Sequence, residues 1–491
     1  MRSHFIAKVS PLKRASNLLG WGRRASAMLD LQTPQRSGSK RIADLLDAIR
    51  SAPGRIAIAL THRNFRLLWM GALTSSVGTW MQKVAQAWLI VAMTGPASAF
   101  FLGLDSFLGE SPLLLFTMLG GVFADRRDRR HMILMSQIIQ MLVALVLAIL
   151  IYTRRIHVAH VLALSFIAGC ARAFGGPAYQ SLIPTLVAKK HLPNAIALNS
   201  IQFNLAQVIG PIFAGAALAA FGTVACFALN AISFLFVIAA VLALRDVRVP
   251  PRATESVVAQ LRYGLRFVQG SSNFMTVMGL GFFIAFLGAP LLTFLPIITR
   301  DVFHRDVAFY TQLMTFSGAG AVIGALIVAW LGENKHMGRI LLILLTLFGM
   351  TIFGFGLSRR IYLSALMLFT GGALFVMCSS LTTSLAQLLA PPEFRGRVVS
   401  IYLVAFLGGS PLGGLTSGWL ATRIGSAPLM LVLNGTMLTL VAMYFLIHGR
   451  SLKDIWSSQG DIMDTLRTDG RPIAQWPRLK AGRSDDLGTP R

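Results

Sequence analysis

From Phe65 onward the chain is a succession of apolar runs about 20 residues long, divided by short polar breaks. A helix rises ~1.5 Å per residue and a bilayer core is ~30 Å thick, so each run is long enough to cross a membrane. The runs fall near 66–92, 98–121, 132–152, 158–178, 199–220 and 223–244, then 274–298, 308–331, 339–358, 361–383, 399–421 and 427–447. The pattern predicts an all-α membrane protein of twelve transmembrane helices. Its organisation is a basic arm (1–64), a six-helix half (65–244), a central loop (245–273), a second six-helix half (274–447) and a tail (448–491). Val258, Leu261, Leu265 and Val268 recur at helical spacing and predict a surface helix in the central loop. In the arm, Ile42, Leu45, Leu46 and Ile49 suggest an amphipathic helix on an anionic leaflet. A disordered tail, or a true start at Met28, explains the arm equally well, and no function is assigned to it.

Composition agrees with the periodicity. Of 491 residues, 55% are apolar and only 13% charged, about half the ~25% of a soluble domain, which excludes a string of soluble domains. Cys170, Cys226 and Cys378 all lie in apolar runs, so neither a disulfide framework nor a four-thiolate metal site is available. The net charge of +26 invites a nucleic-acid reading. Its distribution argues otherwise, because the basic residues sit at the chain ends and in the breaks between spans. Thirty-six of the 45 Lys and Arg residues fall on the side of the termini and seven on the other, with Lys83 and Arg172 inside spans. The positive-inside rule then places both termini in the cytoplasm of a cell (inner) membrane protein. The arm has no apolar core long enough for a cleaved signal peptide, so the first span is expected to serve as its own signal.

The halves echo one another. Leu186-Val187-Ala188 followed by Leu192 recurs as Leu388-Leu389-Ala390 followed by Phe394, and Leu229-Asn230 recurs as Leu433-Asn434. Two similar halves suit alternating access around a midplane site.

The second span ends Gly121-Val-Phe-Ala-Asp125-Arg126-Arg127-Asp128-Arg129-Arg130. This resembles the signature between spans two and three of the major facilitator superfamily, with Asp128 in place of the usual later glycine. Thr79-Trp80-Met81-Gln82-Lys83-Val84-Ala85-Gln86-Ala87-Trp88-Leu89, Leu192-Pro193-Asn194-Ala195 and Phe394-Arg395-Gly396-Arg397-Val398 resemble its branch of enterobactin exporters and transmembrane secretion effectors. The resemblance runs from about Asn64 to Ile447. It implies a twelve-helix secondary transporter in which the loop after span two meets span eleven and holds the cytoplasmic gate shut. Gly121 would permit close helix approach, and Asp125 suits the positive end of a facing helix, with Arg395 and Arg397 as partners. Arg126 and Arg130 complete the gate set, although this basic cluster would anchor topology in any fold. Gly210-Pro211-Ile-Phe-Ala-Gly215 in span five resembles the superfamily's antiporter motif, and Ser410-Pro411-Leu412-Gly413-Gly414 in span eleven is a similar counterpart. Ordinary helix packing explains both nearly as well.

Four ionisable residues lie deep in spans: Lys83, Asp105, Glu110 and Arg172. A charge at a helix centre costs at least ~2.5 kcal/mol on insertion scales, so functional use is the first hypothesis. Lys83 and Asp105 lie at equal depth, ~26 Å from the cytoplasmic helix ends, and are expected to pair. Glu110 lies nearer the midplane, within reach of Arg172, and is the first candidate for the coupling proton; permanent salt bridges are the alternative. Asp105 and Glu110 are about 140° apart around their helix and are expected on different faces. Arg172 also resembles the family's fourth-span arginine, linked there to proton transfer.

Ser75, Thr79, Gln82 and Gln86 form a polar stripe along span one, and Ser200, Asn204 and Gln207, with the kink at Pro211, repeat the pattern along span five. With Gln312 in the second half they are candidates to line a water-filled path, hydrogen bonding between helices being the competing explanation. Apart from such groups the second half offers many phenylalanines, which points to a substrate with apolar or aromatic surface.

No phosphate-binding Gly-x-x-x-x-Gly-Lys-Ser/Thr loop, His-Glu-x-x-His or Gly-x-Ser-x-Gly is present. Gly318-x-Gly320-x-x-x-Gly324 lies inside a span and reads as a packing motif. The expected function is proton-coupled efflux of a small amphipathic molecule, siderophore-like or a drug, by a monomer among membrane lipids, with no cofactor, metal or nucleic acid and no enzymatic step. Uptake, or lysolipid flipping, by the same fold is the alternative, and a non-transporting sensor is the third.

Overall fold

In a computed structural model, residues 58–126, 128–245, 272–332, 336–390 and 395–448 are described. The arm, the central-loop helix and the tail lie outside them. Among the described residues there is no strand, and the helices run α1 Arg63–Thr94, α2 Ser98–Arg126, α3 Arg129–Tyr152, α4 Val158–Leu186, α5 Leu192–Leu242, α6 Ser272–Gly288, α7 Pro290–Thr293, α8 Leu295–Asp301, α9 Val307–Leu331, α10 Met337–Leu357, α11 Ile361–Leu389, α12 Arg395–Ile424 and α13 Ala427–His448. Ten continuous segments among them are long and apolar enough to cross a membrane.

Two of the ten are long enough for two crossings each. Arg63–Thr117 spans 55 residues and turns at Gly95, whose φ is +51°. In α5 the helical path breaks at Gly222, with φ +75° and ψ −175°, a conformation that only a residue without Cβ adopts cheaply. The two arms of α5 then fold back on one another, and the Cys226 thiol comes to 3.9 Å from the Ala214 carbonyl oxygen.

The seventh run, predicted as one span, is instead a helix interrupted twice. Pro290 and Pro296 each sit at the start of a new short helix, where the missing N–H costs nothing because the first turn has no internal acceptor for it. Charge asymmetry at the ends follows ordinary capping. Asp128 N-caps α3, accepting the Arg130 amide at 2.9 Å, and also meets His131 at 3.0 Å. The Asp128 carboxylate therefore satisfies a helix end.

Packing repeats along the chain. Counting the arms of α5 as spans five and six and α6 to α8 as span seven, span two packs on span four, and span eight on span ten; likewise one on five and seven on eleven, three on six and nine on twelve. The two extensive contacts between these sets are each other's counterparts: α2 with α12, and α5 with α9. Gly320 and Gly324 set α9 directly against Phe369 and Ala373 of α11, so the glycine run in span eight is a packing surface.

The face at which α1 begins is termed basal and the opposite face distal. The α2–α12 seam is tightly joined from its distal end to mid-depth. The Phe100 amide donates to Thr422 Oγ1 at 3.1 Å. A Cβ placed on Gly103 would fall 2.2 Å from the Gly414 carbonyl oxygen, so the two backbones touch there. Leu114 reaches Gly408 further in. Arg300 adds a distal tie from α8 to α1, donating to the Val91 carbonyl at 2.5 Å. Towards the basal face the surfaces part: Leu403, Val404 and Leu407 of α12 are exposed, and a Cβ on Gly121 of α2 would meet no described atom.

Candidate functional site

The four interior charges gather where α1, α2 and α4 meet the α2–α12 seam. Asp105 is held by neutral donors. Gln86 Nε2 donates to both of its oxygens at 2.9 Å, and the buried Ser165 hydroxyl donates to Oδ1 at 2.6 Å. The expected Lys83–Asp105 ion pair is not formed. Depth fixes only one coordinate of a side chain, and the azimuth of Asp105 carries it to Gln86 and Ser165. Lys83 lies instead over the Trp80 ring, 5.0 Å from its centroid, a cation–π contact that partly offsets lost hydration. It is exposed although Arg172, Glu110 and Asp105 all lie within electrostatic reach.

Glu110 points another way, as the angular spacing requires. Its Oε2 accepts the Ser410 hydroxyl of α12 at 3.0 Å, across the seam. Arg172 lies within electrostatic range of Glu110 but spends its Nη2 on the Gly109 carbonyl at 2.7 Å, and its Nε is buried without a partner. A guanidinium so placed retains a free donor beside both carboxylates. Ser165 and Ser410 were not legible as partners: serines are common, and their positions 60 and 300 residues away leave no local pattern.

The polar stripes divide. Gln82 accepts from Asn230 Nδ2 at 2.6 Å, Thr79 donates to the Ser75 carbonyl at 2.9 Å, and Ser75 is buried. Gln82 and Ser75 thus serve helix packing, and Thr79 bonds within its own helix. Gln86 belongs to the charged group. Asn204 bonds within its own helix, to the Ser200 carbonyl at 2.8 Å, Gln207 is half-buried, and Gln312 is exposed. In the span-five motif Gly210 lies against Trp80 and Met81 of α1, and Gly215 against Thr311 of α9. Pro211 is buried between them. The motif thus sets α5 between α1 and α9, beside the second contact that joins the two sets of spans.

At the basal face Arg130 donates to the Leu244 carbonyl, tying the start of α3 to the end of α5. Asp125 stands in the last turn of α2, and Arg395 and Arg397 in the first turn of α12; these side chains, with that of Arg126, are not among those described. Close approach to α4 belongs to Gly120, which faces the Ala173 carbonyl, and not to Gly121. His62 and His191 share a hydrogen bond of 2.9 Å at the same face, a contact that the sequence did not announce.

The family model of transmembrane secretion effectors matches residues 57–466. The chain belongs to that family, a branch of the major facilitator superfamily. It is a membrane transporter and not an enzyme. Macrolide efflux protein A of Streptococcus pyogenes is 26% identical over 398 residues, covering 77% of this chain and 94% of that one. The enterobactin exporter EntS of Citrobacter koseri is 25% identical over 392 residues, covering 79% and 93%. Among solved structures, a bacterial homologue of the human lysosomal transporter Spinster, in an inward-facing and unoccupied conformation, superposes with a TM-score of 0.60 at 14% identity, covering 80% of this chain and 96% of that one. That likeness concerns the fold. The transporter therefore has the major facilitator architecture that its signature implied.

Proposed function

We propose that this transporter exports a small amphipathic molecule, siderophore-like or a drug, in exchange for protons, as a monomer making twelve crossings in two six-helix halves (65–244 and 274–447). Both termini lie in the cytoplasm and the basal face is the cytoplasmic one. The interior group of Lys83, Asp105, Glu110 and Arg172 beside the seam carries the reading. Buried carboxylates near fixed cations are the groups whose proton occupancy responds to surroundings, and charges kept inside a membrane at such cost are expected to work. Efflux as the direction is supported by the relatives, named for macrolide efflux and enterobactin export.

The arrangement then corresponds to a cavity open to the cytoplasm, with the distal seam shut. Closing the other end brings the end of α2, with Gly121, Asp125 and Arg126, against the first turn of α12, with Arg395 and Arg397. Arg130 anchors the start of α3 beside this gate. The apolar and aromatic surface of the second half receives the body of the substrate.

Proteoliposomes with an imposed pH gradient test this, using siderophores, a macrolide, dyes and lysolipids. Energised, gradient-dependent export of one compound is expected. Gradient-independent movement of every compound overturns proton exchange, and movement of lysolipid alone favours a flippase.

A further inference from the structure

The two interior carboxylates differ in where their partners live. Asp105 is held by Gln86 on α1 and Ser165 on α4, the same set of spans to which it belongs. Glu110 is held by Ser410 on α12, in the other set. Among the described residues, the charged groups within electrostatic reach of Glu110, Lys83 on α1 and Arg172 on α4, lie on its own side of the seam.

Resting on the proton-coupled reading above, a further requirement follows. A proton can drive alternation only if it binds one state more tightly than the other, because a ligand shifts an equilibrium by its differential affinity alone. Neighbours that move together with the carboxylate give it the same surroundings in both states. We propose that Ser410 is the positioning residue that makes the proton affinity of Glu110 depend on the state of the transporter, and that Asp105 is structural. A hydroxyl donates more strongly to an ionised carboxylate than to a neutral acid. With Glu110 ionised, the bond favours the distally closed arrangement; a proton on Glu110 weakens it and lets α12 part from α2.

The test needs no substrate. Spin labels at cysteines replacing the exposed distal residues Tyr152 and Tyr362, in the full chain with its three native cysteines replaced by serine or alanine, report the distance across the distal face in nanodiscs. In this parent, acidification should lower the ratio of closed to open populations roughly tenfold, the ratio expected between charged and neutral hydrogen bonds. Ser410→Ala and Glu110→Gln should both flatten the titration, and Ser410→Thr should restore it. Asp105→Asn should leave a titration of the same sign. A parent that titrates while Ser410→Ala keeps the same amplitude and midpoint overturns this proposal alone. A parent insensitive to pH overturns the proton-coupled reading together with it.

Discussion

Gly103 and Gly121 lie on one face of α2, about five turns apart at 3.6 residues per turn, and in this arrangement the first is filled by the backbone of Gly414 while the second faces no described atom. Two notches on one face, one occupied, are what a helix needs if its neighbour seats alternately at either end.

Gly121→Val should therefore insert and melt like the parent, since the added carbons meet no described atom, yet transport should fall at least tenfold because the basal end cannot close. Gly103→Val places the same atoms against the Gly414 carbonyl and should cost about 1–3 kcal/mol of stability, the usual range for overpacking. Melting temperatures and transport rates, measured on both variants, check this. Equal melting losses, or normal transport by Gly121→Val, would contradict it.

Glu110→Gln keeps size and hydrogen bonding but removes the proton, so substrate exchange should continue while uphill export under a pH gradient collapses. Asp105→Asn should reduce export less. Since Lys83 lies over Trp80 and is not paired with Asp105, Lys83→Met should fail to rescue Asp105→Asn. Counterflow and gradient-driven export, assayed side by side, separate these outcomes, and a clear rescue would restore the pairing.

Much of this fold was legible because burial in a bilayer imposes a length on every apolar run and a cost on every interior charge. Lys83, Asp105, Glu110 and Arg172 stood out for that reason, and they do converge. What the sequence could not supply was direction around each helix. Lys83 and Asp105 share a depth, and nothing local told that one turns to an indole and the other to an amide and a hydroxyl. Ser410 escaped notice as a partner because its meaning depends on a helix 300 residues from Glu110 in sequence. The interruptions in span seven were written plainly in Pro290 and Pro296, but the apolar run around them is continuous.

The Asp128 cap gives a stability prediction outside the site. Asp128→Ala should destabilise the start of α3 by about 1 kcal/mol, and Asp128→Gly by a few tenths, as measured for N-caps generally. Thermal melting of the purified variants, compared with the parent, reads the difference. A glycine variant less stable than the alanine one would show that the carboxylate is not acting as a cap.

The His62–His191 bond predicts a pH response at the basal face. One imidazole must stay neutral to accept, so the contact holds at neutral pH; desolvation and the neighbouring Lys190 hold the His191 imidazole below the ordinary histidine range, so the contact is lost only on the acid side of that range. Amide exchange at Phe65 to Leu68 should then accelerate on acidification in the parent, while His62→Gln should show the fast exchange at every pH. Rates unchanged between about pH 7.5 and about pH 4.5, conditions roughly one unit above and two below the ordinary imidazole value, would remove the contact from any such role.

Because α5 turns back at Gly222 through a single residue with positive φ, no soluble stretch separates its arms. The insertion machinery meets 51 residues of helix-forming sequence as one hairpin, and neither arm can wait in water while the other partitions. A side chain at position 222 would add roughly 1–3 kcal/mol to this positive-φ turn, a backbone region essentially reserved for glycine, and so delay both arms together. The biogenesis of the first six spans is also ordered by this turn. α1 enters the bilayer first but presents Gly71 to the second arm and Trp80 to the first, so it remains without its principal neighbours until the hairpin arrives and completes them in one step.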